Sequence, residues 1–366
     1  MASSRIAKTS ILSGLINVCL FIGGKTSAII HWLSVLLLAV VISAGCVSDK
    51  KAKDTSPTIS MAVEFSSHSA CAHIGRKKGW FKEEGIQIKA YDSYVTGMAL
   101  AAALARGDVD VAYICLIPAI NAYANAGVPI KVVAGIHRYG YGFVVNPEKV
   151  KTIKDLEKPN IRIGLPREGS PPDALFHKMM EKFNLDKEKT LAKARRMNPP
   201  KQLLALKMGQ LDAGMICEQY PTMSEGLGFK VLLTAKDLWP NMQGSVLVVR
   251  TELIKNHPDI VRKLVKVTRR ATQFINEHPD EAGRIVASAL SVTGERIFPI
   301  KAAEAAAKLT ITPAALKKSI TERLDCTIDI DEKMIQETID YVKGLGNIKK
   351  RFKAAEILDL RFLHEK

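Results

Sequence analysis

Hydrophobic and polar positions along this chain fall into two alternating rhythms. From Thr58 onward, short solid apolar runs give way to stretches in which apolar residues recur every three or four positions, and the sequence then repeats. "TISMAVEF" (Thr58–Phe65) predicts a buried strand, and a helix follows over Ala70–Lys78. "IQIKAY" (Ile86–Tyr91) predicts a second strand. "TGMALAAALARG" predicts a helix with Thr96 as its N-cap and Gly107 past its end. "VDVAYIC" (Val109–Cys115) predicts a third strand, "IPAINAYANAG" a third helix and "IKVVAGI" (Ile130–Ile136) a fourth strand. Such alternation predicts an α/β fold built on mainly parallel sheets with right-handed crossovers.

The rhythm then restarts. "GFVVN" and "NIRIGLP" predict strands, and a helix is expected from about Ser170 to Phe183. "PPKQLLALKMGQLDAGMIC" predicts a helix and a strand ending at Cys217. "KVLLTA" and "GSVLVVR" predict two more strands, and from Thr251 onward the chain reads as almost wholly helical. No fixed-period repeat is present, but "ARGDVDVAY" and "KMGQLDAGM" echo one another at the helix-to-strand junction. Two similar lobes are expected.

The N-terminal pattern is different. From Ala28 to Cys46 the chain is apolar except for His31 and a few serines, with Lys25 just before it. A basic flank, an apolar core and small residues before a cut site make a secretory signal. Ser43-Ala44-Gly45-Cys46 resembles a lipobox, with Ile42 as a mild departure. That resemblance implies lipid attachment to Cys46 after removal of residues 1–45. The stretch 46–57, "CVSDKKAKDTSP", then reads as a flexible tether. A retained signal anchor stopped by Lys50, Lys51 and Lys53 is the alternative. Both place the body at the membrane, outside the cytoplasm. Ile11–Gly24 is a second apolar stretch, too short to span comfortably.

Composition changes this picture only modestly. The chain has 366 residues, 25% charged and 47% hydrophobic, with a formal charge of +16. A basic surface suits an anionic partner. Nucleic acid is not expected, because the basic residues are scattered along helices and aromatics make up only 6%. The six cysteines, at 19, 46, 71, 115, 217 and 326, form no CxxC pair. A zinc ribbon, a thioredoxin motif and a disulfide framework are therefore not expected.

In open α/β sheets, ligands bind beyond the carboxyl ends of the strands, where helix N-termini present free N–H groups. The residues at those places are Ser66, Ser67, His68 and Ser69 after the first strand, and Ser93, Thr96 and Gly97 after the second. Cys115 and Leu116 follow the third strand, and His137 and Arg138 the fourth. In the second half they are Arg167, Gly169 and Ser170, then Glu218, Gln219 and Tyr220. Each also has a bland role: serines and threonines cap helices, arginines are solvated, and a glycine closes a turn. Convergence of all these loops on one cleft favours the functional one.

Taken in order, "GRKKGWFKEEGIQIKAY", "ALARGDVDVAY", "NAGVPIKVVAGIHRYGYGFVV", "ALKMGQLDAGMICEQYP", "LWPNMQGSVLVVR" and "LIKNHPDIVRKLVKVTRRATQFINEHPDEA" resemble the extracytoplasmic solute-binding proteins of ABC importers. The branch is the one for nitrate, sulfonate and taurine, which also includes thiamine-pyrimidine binders. The resemblance implies a two-lobed fold of the type II periplasmic binding proteins, with two crossing strands at Tyr141–Asn146 and Gly244–Arg250. Lobe 1 would be 58–142 plus 248–366, and lobe 2 would be 143–247. It also implies hinge closure on a small ligand and delivery to an ABC permease and its ATPase by a monomer. Three positions depart from the family pattern: Cys115-Leu116-Ile117-Pro118 in the third-strand loop, His73 in place of a tyrosine, and Cys217 in place of an aromatic residue.

Three classes of function follow. The first is a receptor for a small anion or zwitterion. Arg138 and the helix N-termini suit an anion, whereas Glu218 welcomes an amine. A zwitterion or an amino-pyrimidine satisfies both. The second is an enzyme, since a thiamine-pyrimidine synthase shares the resemblance. That class needs a cysteine-rich iron-binding motif, which this sequence lacks, so neither an activity nor a cofactor is expected. The third is capture of a soft ion by His68, Cys71 and His73 with Cys115 and Cys217. Cys71 and His73 are two positions apart, on different faces of a helix, so no metal site is expected there.

Overall fold

The computed structural model describes residues 57–297 and 311–364. The expected signal, the expected lipid-attachment site Cys46 and most of the expected tether lie outside the described residues. No helix among the described residues is long and apolar enough to cross a membrane.

Eleven described strands form two sheets. They are β1 (Thr58–Glu64), β2 (Gln87–Tyr94), β3 (Val111–Cys115), β4 (Ile130–Tyr139), β5 (Tyr141–Val145), β6 (Ile163–Leu165), β7 (Ala194–Arg196), β8 (Ala213–Cys217), β9 (Lys230–Thr234), β10 (Gln243–Arg250) and β11 (Leu324–Asp325). The first sheet has the order β11-β4-β10-β3-β1-β2 and the second β7-β6-β8-β5-β9. The expected parallel pairing is found among β1, β2 and β3 and among β6, β7 and β8. The strands that carry the chain across, β5 and β10, run antiparallel to both neighbours. The chain leaves the first sheet at Gly140 and re-enters it at Gln243, so each sheet is mixed and each lobe is α/β.

The helices that position the site are α1 (Ala70–Lys77), α2 (Gly97–Arg106), α3 (Leu116–Ala126), α4 (Pro171–Lys182), α5 (Pro199–Lys207), α6 (Tyr220–Glu225), α7 (Pro258–Glu277), α8 (Pro279–Ile297), α9 (Pro313–Lys318) and α10 (Glu332–Gly344). A π turn follows α9 at Ser319–Arg323, so the C-terminal part carries a short edge strand as well as helices. Thr96 caps α2 as expected, its Oγ1 accepting from Ala99 N, and Gly107 ends the helix at a φ of 87°.

β1 is buried on both faces, which is why it reads as a solid apolar run. Ile59, Met61 and Val63 pack with α1, α7 and α8, while Ala62 faces the cluster of Leu100, Ile120 and Ile339 from α2, α3 and α10. The stripe Ile260, Val261, Leu264, Val265, Val267, Ala271 and Ile275 buries one face of α7. Each of these side chains other than Ala271 contributes about 1.5–3 kcal/mol when fully buried. In the second sheet, β5 alternates in the same way. Phe143 and Val145 join Phe176 and Met179 of α4, and Val144 joins Leu203 and Leu206 of α5.

Gly140 lies where the chain leaves the first sheet for the second, at a φ of 89°. A Cβ there would stand 2.7 Å from His68 Nε2. Both the left-handed backbone and the close approach require glycine.

Candidate functional site

The carboxyl ends of the parallel strands from both sheets open onto one cleft. Glu64 ends β1, Cys115 ends β3 and Cys217 ends β8. Thr96 and Gly97 follow β2, Ser170 follows β6, and Tyr141 opens β5. Pro118, Pro166, Pro171, Pro172 and Pro199 give it apolar walls. Its empty volume is about 420 Å³, a figure that includes open solvent at its mouth. No lysine or arginine is among the described lining residues.

Glu64 is the ionisable carboxyl among the described lining residues of this cleft. It is 5% exposed. Its Oε1 accepts the Cys115 backbone N–H at 2.6 Å, and its Oε2 accepts from Cys115 Sγ at 3.2 Å. Burial pushes its carboxyl up to about 7, against the pull of those bonds. The start of α2 presses against it: a Cβ on Gly97 would lie 2.5 Å from Glu64 Oε1 and 2.8 Å from Pro118. The protein's own carboxylate thus accepts the N–H at the start of α3, a place where an incoming anion would otherwise bind.

Behind Glu64 stands a fully buried polar group. His68 Nε2 is 2.8 Å from the Gly140 carbonyl oxygen. A carbonyl only accepts, so Nε2 carries the proton and Nδ1 presents its lone pair to Cys115 Sγ, 3.3 Å away. The Tyr141 hydroxyl donates to the same sulfur at 3.1 Å, and Ser245 Oγ reaches it at 3.5 Å. Burial lowers His68 to about 4 and raises the Cys115 thiol, the latter also because Glu64 is close. His137 packs edge-on against His68, with ring centroids 4.5 Å apart.

The helix N-termini on the two sides differ. α2 presents the N–H groups of Gly97 and Met98. α4 and α5 both begin with two prolines, which have no N–H to give. The Lys201 N–H is taken by Asn198 Oδ1 and the Gly169 N–H by Asp173. On the second-sheet side the polar offer is the Ser170 hydroxyl. Ser170 Oγ and, facing it from the first sheet, Ser66 Oγ are buried without a partner among the described residues.

Of the residues picked out in the sequence, Ser66, Thr96, Gly97, Cys115, Ser170 and Cys217 line the cleft. His68 stands one layer behind. Ser69 Oγ accepts the Glu64 N–H at 3.0 Å, and Ser67 bonds Ser319 Oγ and Gln219 Oε1. Ser93, Leu116, His137 and Tyr220 do not line the cleft, and Gly169 is a turn residue at a φ of 73°. Arg138 reaches Asp325 at 3.9 Å. Glu218 lies away from the cleft lining, its Oε2 accepting from Thr222 Oγ1 at 2.7 Å. The "HSACAH" trio divides: His68 faces Cys115, Cys71 joins Thr272 in the core, and His73 meets Tyr91. Sequence reasoning passed over Glu64, Tyr141 and the prolines. A lone acid at the carboxyl end of a solid apolar strand was the available signal for Glu64.

A family model described as the NMT1-like family matches residues 52–291. The chain is 24% identical over 343 residues to a Bacillus subtilis (strain 168) protein named "Putative aliphatic sulfonates-binding protein", covering 90% of this chain and 95% of that one. Among solved structures it is similar to the alkanesulfonate-binding protein SsuA of Xanthomonas axonopodis pv. citri bound to MOPS. The TM-score there is 0.67 at 15% identity, over 83% of this chain and 98% of that one. It is similar also to the periplasmic nitrate-binding protein NrtA of Synechocystis PCC 6803, with a TM-score of 0.67 at 12% identity, over 84% and 87% of the two chains.

Proposed function

The chain belongs to the NMT1-like family, and we propose that it is the solute-binding component of an ABC importer, taking a small zwitterion of the aminosulfonate class into the cleft and delivering it to a permease. The observation that carries this reading is the cleft's polar lining. An acidic group is received by the Gly97 and Met98 N–H groups and the Ser66 and Ser170 hydroxyls. Glu64 stands in the same cleft with no lysine or arginine beside it among the described lining residues. A bare anion there meets an uncompensated carboxylate, whereas a zwitterion brings its own ammonium. Names of similar proteins support the acidic group, since they concern sulfonates and nitrate.

The five proline walls favour a second reading, a flat amino-pyrimidine whose amine bonds Glu64. Calorimetry on chelator-treated protein separates the two. Taurine should bind at least about tenfold tighter than methanesulfonate or nitrate, the worth of one charge-assisted bond. Glu64→Gln should erase most of that difference. Equal affinity for taurine and methanesulfonate overturns the zwitterion reading, and binding of an aminopyrimidine alone replaces it with the second. Attachment through a lipid on Cys46 belongs to the same proposal. Cys46→Ser should abolish lipid labelling and leave an unprocessed precursor, and normal maturation would remove the anchor from it.

A further inference from the structure

Glu64, His68 and Cys115 offer a carboxylate oxygen, an imidazole nitrogen and a sulfur that all lie within 4.8 Å of one another. We infer that these three side chains form a binding site for a borderline-soft divalent ion of the zinc class, with its fourth position open to the cleft. Four observations on the geometry carry it.

The first is spacing. Cys115 Sγ is 3.3 Å from His68 Nδ1 and 3.2 Å from Glu64 Oε2. A tetrahedral ion with bonds of about 2.0–2.3 Å to N, O and S has ligand-to-ligand edges of roughly 3.3–3.6 Å. The second is tautomer. The Gly140 carbonyl fixes the proton on Nε2, so Nδ1 already presents its lone pair to the group. Metal-binding histidines are commonly held in this way, through a bond from the other ring nitrogen to a backbone carbonyl. The third is support of the remaining ligands. Tyr141 and Ser245 hydroxyls reach the sulfur, and the Cys115 N–H holds Glu64 Oε1, so Oε2 is the oxygen left for an ion. The fourth is access. Glu64, Cys115 and Tyr141 line the cleft, whereas His68 closes the site from behind.

A mixed S, N, O set selects zinc-like ions over magnesium or calcium. On binding, a metal–sulfur bond forms, the Cys115 S–H bond breaks, and its proton leaves to solvent. The ion then supplies the positive charge that Glu64 lacks. The inference rests on the proposed solute-binding role only for what takes the fourth position: an acidic group on the solute. With the ion in place Glu64 is occupied and a sulfonate without an amine becomes a good ligand, whereas the zwitterion reading describes the ion-free cleft.

The test uses the full chain, purified without an affinity tag. Zn²⁺ titrated against a coloured chelator should bind one ion per chain, and Co²⁺ should give an intense thiolate-to-metal absorption band. Cys115→Ser should remove that band and weaken Zn²⁺ binding at least about a hundredfold, and His68→Gln should weaken it at least about tenfold. If Cys115→Ser does not fold, the wild-type Co²⁺ band and the His68→Gln affinity decide alone. Absence of the band, or unchanged Zn²⁺ affinity in a folded variant, overturns the site. Methanesulfonate should then bind the Zn²⁺-loaded protein at least about tenfold more tightly than the chelated one. An unchanged sulfonate affinity, with Zn²⁺ bound at Cys115, overturns the open fourth position while leaving the zwitterion reading intact.

Discussion

Glu218 and Glu64 are both buried carboxyls pushed up to about 7 by burial, but their company differs. Glu218 is opposed in that shift by Thr222, Arg323 and Ser319, all of them structural neighbours. When the chain unfolds, its carboxyl returns to an ordinary value near 4.5. Between those two values the folded chain holds a proton that the unfolded chain has lost. The stability it contributes is therefore fully present below pH 4.5 and is lost as pH rises through 7. Glu218→Gln keeps an acceptor for Thr222 and cannot ionise. Its melting temperature relative to wild type should climb between pH 4.5 and 8, by on the order of 5 °C. A difference that stays level with pH would show that Glu218 is not the buried acid described.

The echo between "ARGDVDVAY" and "KMGQLDAGM" has a structural meaning at the level of elements. Asp110 and Asp212 stand at the same place before β3 and β8. Asp110 Oδ2 accepts the Ser60 N–H at the start of β1, and Asp212 Oδ2 accepts the Arg162 N–H just before β6. The backbone repeats the theme, with Asp110 N donating to Ser60 O and Asp212 N to Arg162 O, each at 2.9 Å. Asp212 is the more heavily bound, by both Nε and Nη2 of Arg162 at 2.8 Å and by Lys149 at 2.7 Å. Burial alone would raise its carboxyl, but these bonds outweigh burial and hold it well below the usual carboxylate range. Its contribution is present above the ordinary value of 3.8 and is lost as pH falls through the folded value. Asp212→Asn should cost about 1.5–3 kcal/mol in denaturant unfolding at pH 7. The cost should shrink on acidification below pH 4, and a loss independent of pH would point to packing instead.

At the scale of the molecule, the two lobes are joined by two passages of chain, by apolar packing such as Trp239 edge-on against Tyr341, and by polar bridges. The Ser67 N–H reaches Gln219 Oε1, Asn121 reaches the Gly169 carbonyl, and Lys318 and Arg323 reach Glu225 at 2.8 and 2.6 Å. Any opening of the cleft by relative motion of the lobes has to break them. The Glu225 pairs are partly exposed, so each contributes up to about 1 kcal/mol. Glu225→Gln should therefore favour an open form. Small-angle scattering should give a larger radius of gyration for the ligand-free variant than for wild type. Whichever solute of the calorimetric panel binds should do so about two- to tenfold more weakly. Identical scattering and affinity would argue for a rigid cleft.

The sequence alone determined most of the order of strands and helices, though not the short strands β7 and β11, because solid apolar runs, helical spacing and caps such as Thr96 and Gly107 are local properties of the chain. It also determined that two similar halves follow one another, through a repeated aspartate before a strand. Much of the candidate site was not legible in this way. Glu64 sits in an apolar run and reads as part of a strand, and Tyr141 likewise. Only the pairing of β1 with β3, and the passage of the chain at Gly140, bring Glu64, His68, Cys115 and Tyr141 together across 78 positions of sequence. Arg138 and Glu218 carried the charge in the sequence reading, yet tertiary pairing turns one to Asp325 and the other to Thr222. A charge pattern gives the side chains that are present. Which of them stay unpaired in a cleft depends on the partners that folding supplies, and those lie far away in the chain.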